Sequence, residues 1–221
     1  MSELLNEEVK DQIRQLFAGL EEPVKVLFFG EKTGCDYCDD TRQLVEEVAA
    51  LSEKLAMEEY DLEDDAEISQ QYRVDKTPGL VITQSNGADP KDFGIRFAGI
   101  PSGHEFSSLI QDILLVSKQD SGLSQETRQF LAELTQPVLL QVFVTPTCPY
   151  CPSAVMLAHQ MALESPMVDA EMVEAMEFYE LSEQHQVSGV PHTVINEGAS
   201  SVVGSVPEGQ LLAEIKKALV E

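Results

Sequence analysis

The chain carries the same set of residues twice at one fixed distance. Two Cys-x-x-Cys pairs, Cys35 with Cys38 and Cys148 with Cys151, lie 113 positions apart, and Pro78 and Pro191 repeat that offset. Downstream the offset falls to about 106, because the first copy has additional residues around positions 87–92. Offset changes confined to loops are expected of a duplicated domain. The 221 residues therefore predict two domains, residues 1–117 and 118–221.

Each copy shows the hydrophobic patterns of the same series of elements: helix, strand, Cys-x-x-Cys, helix, strand, helix, strand, strand and helix. In the first copy, residues 24–29 form a short apolar run typical of a buried strand, and Asn86-Gly87 predicts a hairpin turn. A helix after the cysteines is predicted to extend as far as Leu55. A strand–helix–strand crossover followed by a hairpin predicts an α/β fold, a mixed four-stranded sheet with helices on both faces. The two sheets could join through their edge strands or remain separate.

The placement of the cysteines indicates redox chemistry. Each pair follows an apolar strand and opens a helix, where unpaired backbone N–H groups and the helix dipole favour a thiolate over a thiol. Cys35 and Cys148 are therefore the predicted attacking thiols. Cys38 and Cys151 lie close enough to attack the resulting mixed disulfide and release the partner. The two disulfides would be the redox groups, and no other cofactor is predicted.

The same four cysteines could instead supply a four-cysteine zinc site. Each pair, however, lies at the equivalent point of a separate repeat, so one zinc ion would require both helix starts to converge. Paired zinc-binding Cys-x-x-Cys motifs are usually about 15–20 residues apart, far less than in this chain. We therefore predict redox centres and no metal site, while a zinc-binding interaction module remains as an alternative.

Two proline dipeptides form the second element of each predicted site. Thr77-Pro78 and Val190-Pro191 each precede a β-rich run and keep the same spacing to their cysteines. An X-Pro bond is the usual position of a cis peptide. A cis bond opposite the cysteines would turn the backbone of the preceding residue outward, where it can pair with an extended substrate chain. We predict that these four residues bind substrate.

Charge and composition exclude several classes of partner. The net charge is −25, from 39 acidic against 14 basic residues, which argues against binding to nucleic acid or to an anionic membrane surface. The sequence has no run of about 18 apolar residues, and its start lacks the pattern of a signal peptide. We therefore expect a cytoplasmic protein, in which paired cysteines point to catalysis rather than to a structural disulfide framework.

These motifs resemble those of the glutaredoxin-like protein disulfide oxidoreductases of prokaryotes, which carry two tandem thioredoxin-like domains with one Cys-x-x-Cys each. The resemblance covers essentially the whole chain, and the Cys148-Pro149-Tyr150-Cys151 sequence is typical of glutaredoxins. It implies dithiol–disulfide exchange with protein disulfide or dithiol substrates, as reduction, oxidation or isomerisation. It also implies reduction by a flavoprotein of the thioredoxin-reductase type.

The sequence departs from that pattern in one respect. Thioredoxins resemble each other in a buried Asp six residues before the first cysteine, where this chain has Phe29 and Val142. Glu31, Asp61 and Glu174 are candidates for a substitute proton acceptor, although a solvated surface position is expected for each.

His192, which follows Pro191, is a candidate for a group near the second centre, and a packed strand histidine is the competing interpretation. Glutathione binding would require basic residues beside the cysteines. The neighbourhood of Cys148 has none, and Lys32 is the one candidate near Cys35.

An electron relay is the alternative function. The N-terminal region of alkyl hydroperoxide reductase flavoproteins is also a double thioredoxin fold, and it passes electrons to a peroxiredoxin. In that family one of the two copies lacks its cysteines. Two intact centres in this chain therefore favour the disulfide oxidoreductase.

Local charge predicts that the second centre carries most of the disulfide-reducing activity. Asp36 lies beside Cys35, and two further aspartates follow Cys38, so like charge disfavours the thiolate there. Cys148 is followed by neutral Pro149, whose fixed φ also lowers the entropy lost on closing the disulfide.

We expect Cys148→Ser to lose most activity in a dithiol-driven insulin-reduction assay, and Cys35→Ser to lose much less. A helix terminus contributes roughly 0.3–1 kcal/mol to an exposed charge, so one nearby carboxylate offsets much of that effect. The reverse order of the two variants would show that these local charges do not set the division of labour.

Overall fold

A computed structural model describes residues 3–85 and 90–220. The first half contains α1 (Glu7–Phe17), β1 (Val24–Gly30), α2 (Cys38–Ala49), β2 (Leu55–Asp61), α3 (Ala66–Gln71), β3 (Gly79–Gln84), β4 (Lys91–Ala98) and α4 (Phe106–Lys118). The second half contains α5 (Gln125–Ala132), β5 (Val138–Val144), α6 (Cys151–Glu164), β6 (Val168–Glu174), α7 (Tyr179–Gln184), β7 (His192–Ile195), β8 (Ser200–Val203) and α8 (Glu208–Ala218). This order is the predicted one. The predicted turn at Asn86-Gly87 lies outside the described residues.

One predicted boundary is wrong. The helix α2 ends at Ala49, and Leu55 begins the strand β2 instead of continuing the helix. The apolar period of the helix continues by coincidence through the connecting turn, in which the Leu55 N–H donates to the carbonyl of Ser52. Leu55 still points into the core, because the first residue of β2 faces the same side of the sheet as the inner face of α2.

The two halves share a single sheet of eight strands in the order β2-β1-β3-β4-β6-β5-β7-β8. The strands β4 and β6 pair in parallel, from Ile95 with Ala170 to Ala98 with Val173. The open question of edge pairing is thus answered: the last strand of the first half joins the second strand of the second half. The arrangement is an α/β fold of two tandem thioredoxin-like units.

Both faces of the sheet are covered by helices. One large apolar cluster takes inward side chains from α1, α2, α4, α5, α6 and α8, and it includes Cys38, Cys148 and Cys151. Smaller clusters under α3 and α7 cover the opposite face. Because α4 packs against α6 across the junction, the large cluster runs without interruption from one half into the other. Within the described residues, no helix is long and apolar enough to cross a membrane.

The junction between the halves depends on one glycine and on ion pairs. Gly94 has φ of +78° at an irregularity in the β3–β4 pairing, and a Cβ there would collide with the carbonyl oxygen of Val168. Beside it, Asp169 lies 2.9 Å from the Arg73 guanidinium and 3.0 Å from that of buried Arg96. The Lys76 ammonium lies 3.1 Å from Glu171 across the same junction.

Substitution of this glycine is expected to weaken the junction. Gly94→Ala should lower the free energy of unfolding by roughly 2–4 kcal/mol, through left-handed backbone strain and steric overlap with β6. Urea denaturation measures this change, with Gly209→Ala as the matched control, since a Cβ at Gly209 meets nothing within 4 Å. Equal stability of the two variants would contradict the close approach at Gly94.

Candidate redox centres

The first centre lies in the turn that connects β1 to α2. Cys35 and Cys38 form a disulfide with a Cα–Cα distance of 5.5 Å. Cys38 is buried and packs in the core as the first residue of α2, whereas Cys35 is half-exposed. The N-cap residue of α2, Tyr37, makes no side-chain capping hydrogen bond, so backbone N–H groups remain to face the sulfurs.

The second centre has the same geometry. Cys148 and Cys151 form a disulfide with a Cα–Cα distance of 5.5 Å, and α6 begins at Cys151 with a proline in its first turn. Cys148 is 8% exposed and Cys151 is 0% exposed. In both centres the predicted attacking cysteine is therefore the more accessible of its pair.

The position of the attacking cysteine needs one correction. The sequence places Cys35 and Cys148 at the helix starts, but both helices begin at the second cysteine of the pair. Cys148 lies in the preceding turn, where its own N–H donates to the carbonyl of Thr145 at 3.1 Å. The disulfide joins the first cysteine to the first residue of the helix, which keeps its sulfur beside the positive end of the helix dipole.

The two proline dipeptides occupy equivalent positions. Thr77-Pro78 and Val190-Pro191 are both cis. The Pro78 carbonyl accepts the Gly99 N–H at 2.8 Å, and the Pro191 carbonyl accepts the Gly204 N–H at 2.7 Å. Each proline is thereby tied to the end of the neighbouring hairpin strand. Val190 packs against the large apolar cluster, which extends through both halves and includes Cys38, Cys148 and Cys151.

A cleft of about 480 Å³ joins the first centre to its proline. Both halves of the chain line it: Gly34, Cys35, Asp36, Tyr37, Thr77, Pro78, Ile100 and Ser102 from the first, and Pro146, Glu174, Met176 and Glu177 from the second. The structure thus brings together Cys35, Thr77 and Pro78 as the sequence predicts. The contribution of the second half to this site was not predicted.

The three candidate proton acceptors have different environments. Glu31 is half-buried and accepts a hydrogen bond from the Thr77 hydroxyl at 2.9 Å. Asp61 accepts backbone N–H groups of Glu63 and Asp64, which hold the pKa of its carboxyl below the ordinary value. Glu174 is not a solvated acid, contrary to the expectation. It is 4% exposed, and burial raises its pKa.

A buried ionisable cluster that the sequence did not predict lies between α4 and α6. His159 Nδ1 lies 2.6 Å from Asp112 Oδ2, and both side chains are fully buried. Glu105, which accepts a hydrogen bond from the Ser108 hydroxyl at 2.6 Å, interacts electrostatically with both. Burial raises the pKa of Asp112, and it raises that of Glu105 to about 7. Asp112 and His159 stand at inward positions of otherwise apolar helix faces, a pattern that could have revealed them.

His192 is a buried strand residue, not a group over the second disulfide. Val194, two residues further along β7, packs under α7, and residues two apart in a strand share one face, so His192 lies on the sheet face opposite α6. Burial and the nearby His185 lower its pKa, so it is uncharged near neutral pH. Neither ring nitrogen has a hydrogen-bond partner among the described residues, so the packed histidine is not satisfied by its protein neighbours.

No cluster of three or more His, Cys, Asp or Glu side chains in the described part of the chain has the arrangement of a metal site.

A Cys-x-x-Cys disulfide at the start of a helix, opposed by a cis-proline at the start of a neighbouring strand, defines the thioredoxin class of thiol–disulfide oxidoreductase. This chain contains that arrangement twice. It belongs to the thioredoxin domain family, whose model matches residues 23–111 and 138–217.

Solved structures resemble the whole chain. A protein disulfide oxidoreductase from Aeropyrum pernix K1 is 31% identical with a TM-score of 0.86, over 96% of this chain and 92% of that one. The N-terminal NTD_N/C domain of alkylhydroperoxide reductase AhpF from Enterococcus faecalis is 26% identical with a TM-score of 0.86, over 96% and 99%.

Among curated proteins, the AhpF component of the alkyl hydroperoxide reductase of Staphylococcus epidermidis is 29% identical over 180 residues, which is 81% of this chain and 32% of that protein. The chain thus spans about a third of the length of this relative.

The buried acid Glu105 should make stability depend on pH. Its folded-state pKa of about 7 lies above the unfolded value, so the folded state holds the proton more tightly. The stabilisation is complete below about pH 4.5 and is lost as the pH rises to about 7. For one carboxyl this loss amounts to roughly 3 kcal/mol, since each pKa unit corresponds to about 1.36 kcal/mol.

Glu105→Gln should reduce that loss. Urea denaturation at about pH 5 and about pH 8 measures it for the wild-type chain, for this variant and for Glu53→Gln, an exposed control. Gln keeps an acceptor for the Ser108 hydroxyl. An unchanged pH slope in Glu105→Gln would mean that Glu105 is ionised at both values.

Proposed function

We propose that the chain catalyses thiol–disulfide exchange with protein substrates through two separate centres, one in each of the domains 1–117 and 118–221. The observation that carries the proposal is the repeated combination of two linked cysteines, the first more exposed than the second, with a cis-proline. Support also comes from the 31% identity to the Aeropyrum pernix protein disulfide oxidoreductase, which aligns over nearly its whole length.

In this mechanism Cys35 or Cys148 attacks a substrate disulfide as the thiolate and forms a mixed disulfide. Cys38 or Cys151 then attacks the sulfur of its neighbour, which releases the reduced substrate and closes the disulfide of the centre. Thr77-Pro78 and Val190-Pro191 hold the extended substrate backbone beside the sulfurs. Relative reduction potentials set the direction, so the same residues serve reduction, oxidation or isomerisation.

We also propose that the chain works in the cytoplasm and that a flavoprotein of the thioredoxin-reductase type reduces its disulfides. The cytoplasm keeps thiols reduced, and paired cysteines there are commonly catalytic. The acidic surface favours neutral or basic partners over nucleic acids and anionic membranes.

An electron relay is the second candidate, because the similarity to the AhpF component of alkyl hydroperoxide reductases extends over both halves of the chain. In that function the chain would pass electrons from a flavoprotein to a peroxidase thiol. Both functions use the same centres and differ in the final acceptor. A comparison of a peroxiredoxin with insulin as the acceptor, in a reaction driven by a flavoprotein reductase, separates them.

The roles of the four cysteines are tested by trapping. Cys38→Ser and Cys151→Ser should each accumulate a mixed disulfide with a protein substrate, because the attack proceeds but the release is blocked. The matched variants Cys35→Ser and Cys148→Ser should trap nothing at the altered centre. Non-reducing gels and mass mapping locate the linkage, and a substrate linked through Cys38 in Cys35→Ser, or through Cys151 in Cys148→Ser, would contradict the assignment.

A further inference from the structure

The two centres differ in what surrounds them. The first half ends its sheet with β4, which lies against β6, so the side of the first centre that carries Thr77-Pro78 faces the second half. The corresponding strand of the second half, β8, is the last strand of the whole sheet. Its residue Val203 is 59% exposed. A substrate at the first centre therefore enters a walled cleft, whereas the second centre borders an open edge.

The wall of this cleft is acidic. Asp36, Glu174 and Glu177 line it, and its described lining residues include no Lys or Arg. Glu177 Oε1 accepts the Ile100 N–H at 2.8 Å, and burial together with the neighbouring Glu174 raises the pKa of Glu177 to about 7. Removing carboxylates from water without a counter-charge costs free energy, which a cation brought by a ligand would offset.

Glu174 points to a ligand most directly. Its Oε2 accepts the N–H groups of Met176 and Glu177 at 3.0 and 2.6 Å. Its Oε1 has no hydrogen-bond partner among the described residues, although the side chain is 4% exposed and lines the cleft. Buried polar atoms in folded proteins nearly always have partners, so an unpaired carboxylate oxygen at a substrate cleft indicates a missing donor.

The repeat supplies an internal comparison. Asp61 and Asp64 in the first half occupy the positions equivalent to Glu174 and Glu177. There the chain provides its own cation, because Lys32 forms an ion pair with Asp64. The residue equivalent to Lys32 in the second half is Thr145, which is uncharged. The acidic pair of the first half therefore has a counter-charge within the chain, whereas Glu174 and Glu177 could be paired by a cation of the substrate.

We propose that the cleft of the first centre selects extended, positively charged substrate segments, with a Lys or Arg beside the reacting cysteine placed against Glu174 and Glu177. The inference rests on the proposed function and names the substrate class of one of its two centres. The exposed rings and stems of Tyr37 and Met176, 45% and 70% exposed, offer apolar contact to the aliphatic part of the basic side chain. A volume of about 480 Å³ lies within the range of ligand sites.

The chemistry at this centre is a two-electron exchange. The Cys35 thiolate attacks one sulfur of the substrate disulfide, forming a Cys35–substrate disulfide and releasing one substrate thiolate. The Cys38 thiolate then attacks Cys35 Sγ, forming the Cys35–Cys38 disulfide and releasing the second substrate thiolate. Both released thiolates take protons from solvent, the substrate is reduced and the centre is oxidised.

The test isolates each centre. Cys148→Ser/Cys151→Ser retains the first centre and Cys35→Ser/Cys38→Ser retains the second. Each pre-reduced variant is mixed with two peptide disulfides that are identical except for Lys or Glu on both sides of the cysteine. The rates are divided by those of dithiothreitol with the same peptides, which removes the intrinsic reactivity of each disulfide.

We expect the first centre to prefer the Lys peptide by roughly tenfold, and the second centre to show a much smaller preference. Glu174→Gln and Glu177→Gln should each lower the preference of the first centre, since Gln keeps the hydrogen-bond acceptor and removes the charge. Glu59→Gln is the matched control. It removes an exposed charge beside the first centre but outside the cleft, and it should leave the preference unchanged.

Equal corrected rates for the two peptides at the first centre would overturn the inference. So would an equal effect of Glu59→Gln and Glu177→Gln, which would assign the preference to the general surface charge. Should the glutamine variants fail to fold, Ser102→Lys places a cation in the cleft and should abolish or reverse the preference. Failure of both centres to reduce either peptide would instead contradict the proposed function.

Discussion

The parallel pairing of β4 with β6 is the interaction on which the rest of the structure depends. It turns two four-stranded sheets into one, and it requires the close approach of Gly94 to the backbone of Val168. It also brings α4 onto α6, so that one apolar core serves both halves. An exposed sheet edge invites pairing with other chains, and this junction covers one edge of each half.

The same junction explains where the unusual ionisable groups lie. Asp112 and His159 are fully buried between α4 and α6, and Glu174 and Glu177 stand where β6 ends beside the first centre. In an isolated half these side chains would be at or near a surface. Burial raises the pKa values of the carboxyls Asp112, Glu174 and Glu177, because desolvation is the largest cause for each of them.

The order of the helices and strands and the position of the two redox centres could be predicted from the sequence, because short-range patterns of residues determine them. The order of the elements follows hydrophobic periodicity, and the shared spacing of Cys35, Cys148, Pro78 and Pro191 identifies both centres. The environment of Glu174 could not be predicted, because the repeat aligns it with Asp61, a partly exposed acid. An internal repeat implies that the two halves have equivalent surroundings. The pairing of β4 with β6 makes them different, because the second half lines the cleft of the first centre. The assignment of Leu55 to α2 was wrong for a simpler reason: the helical spacing of apolar residues continues by chance through the turn after the helix.

That asymmetry also affects the chemistry of Cys35. The carboxylates that would attract a basic segment also disfavour a thiolate in the same cleft, because like charge raises the free energy of the ionised form. A cation bound in the cleft would reduce two costs. It would pair with the buried carboxylate of Glu174, and it would lower the free energy needed to ionise the nearby Cys35 thiol. Selectivity would then arise in the chemical step as well as in binding, since interactions that strengthen as negative charge develops on sulfur accelerate the reaction itself. The second centre borders the open edge beside β8, so this effect is specific to the cleft of the first centre.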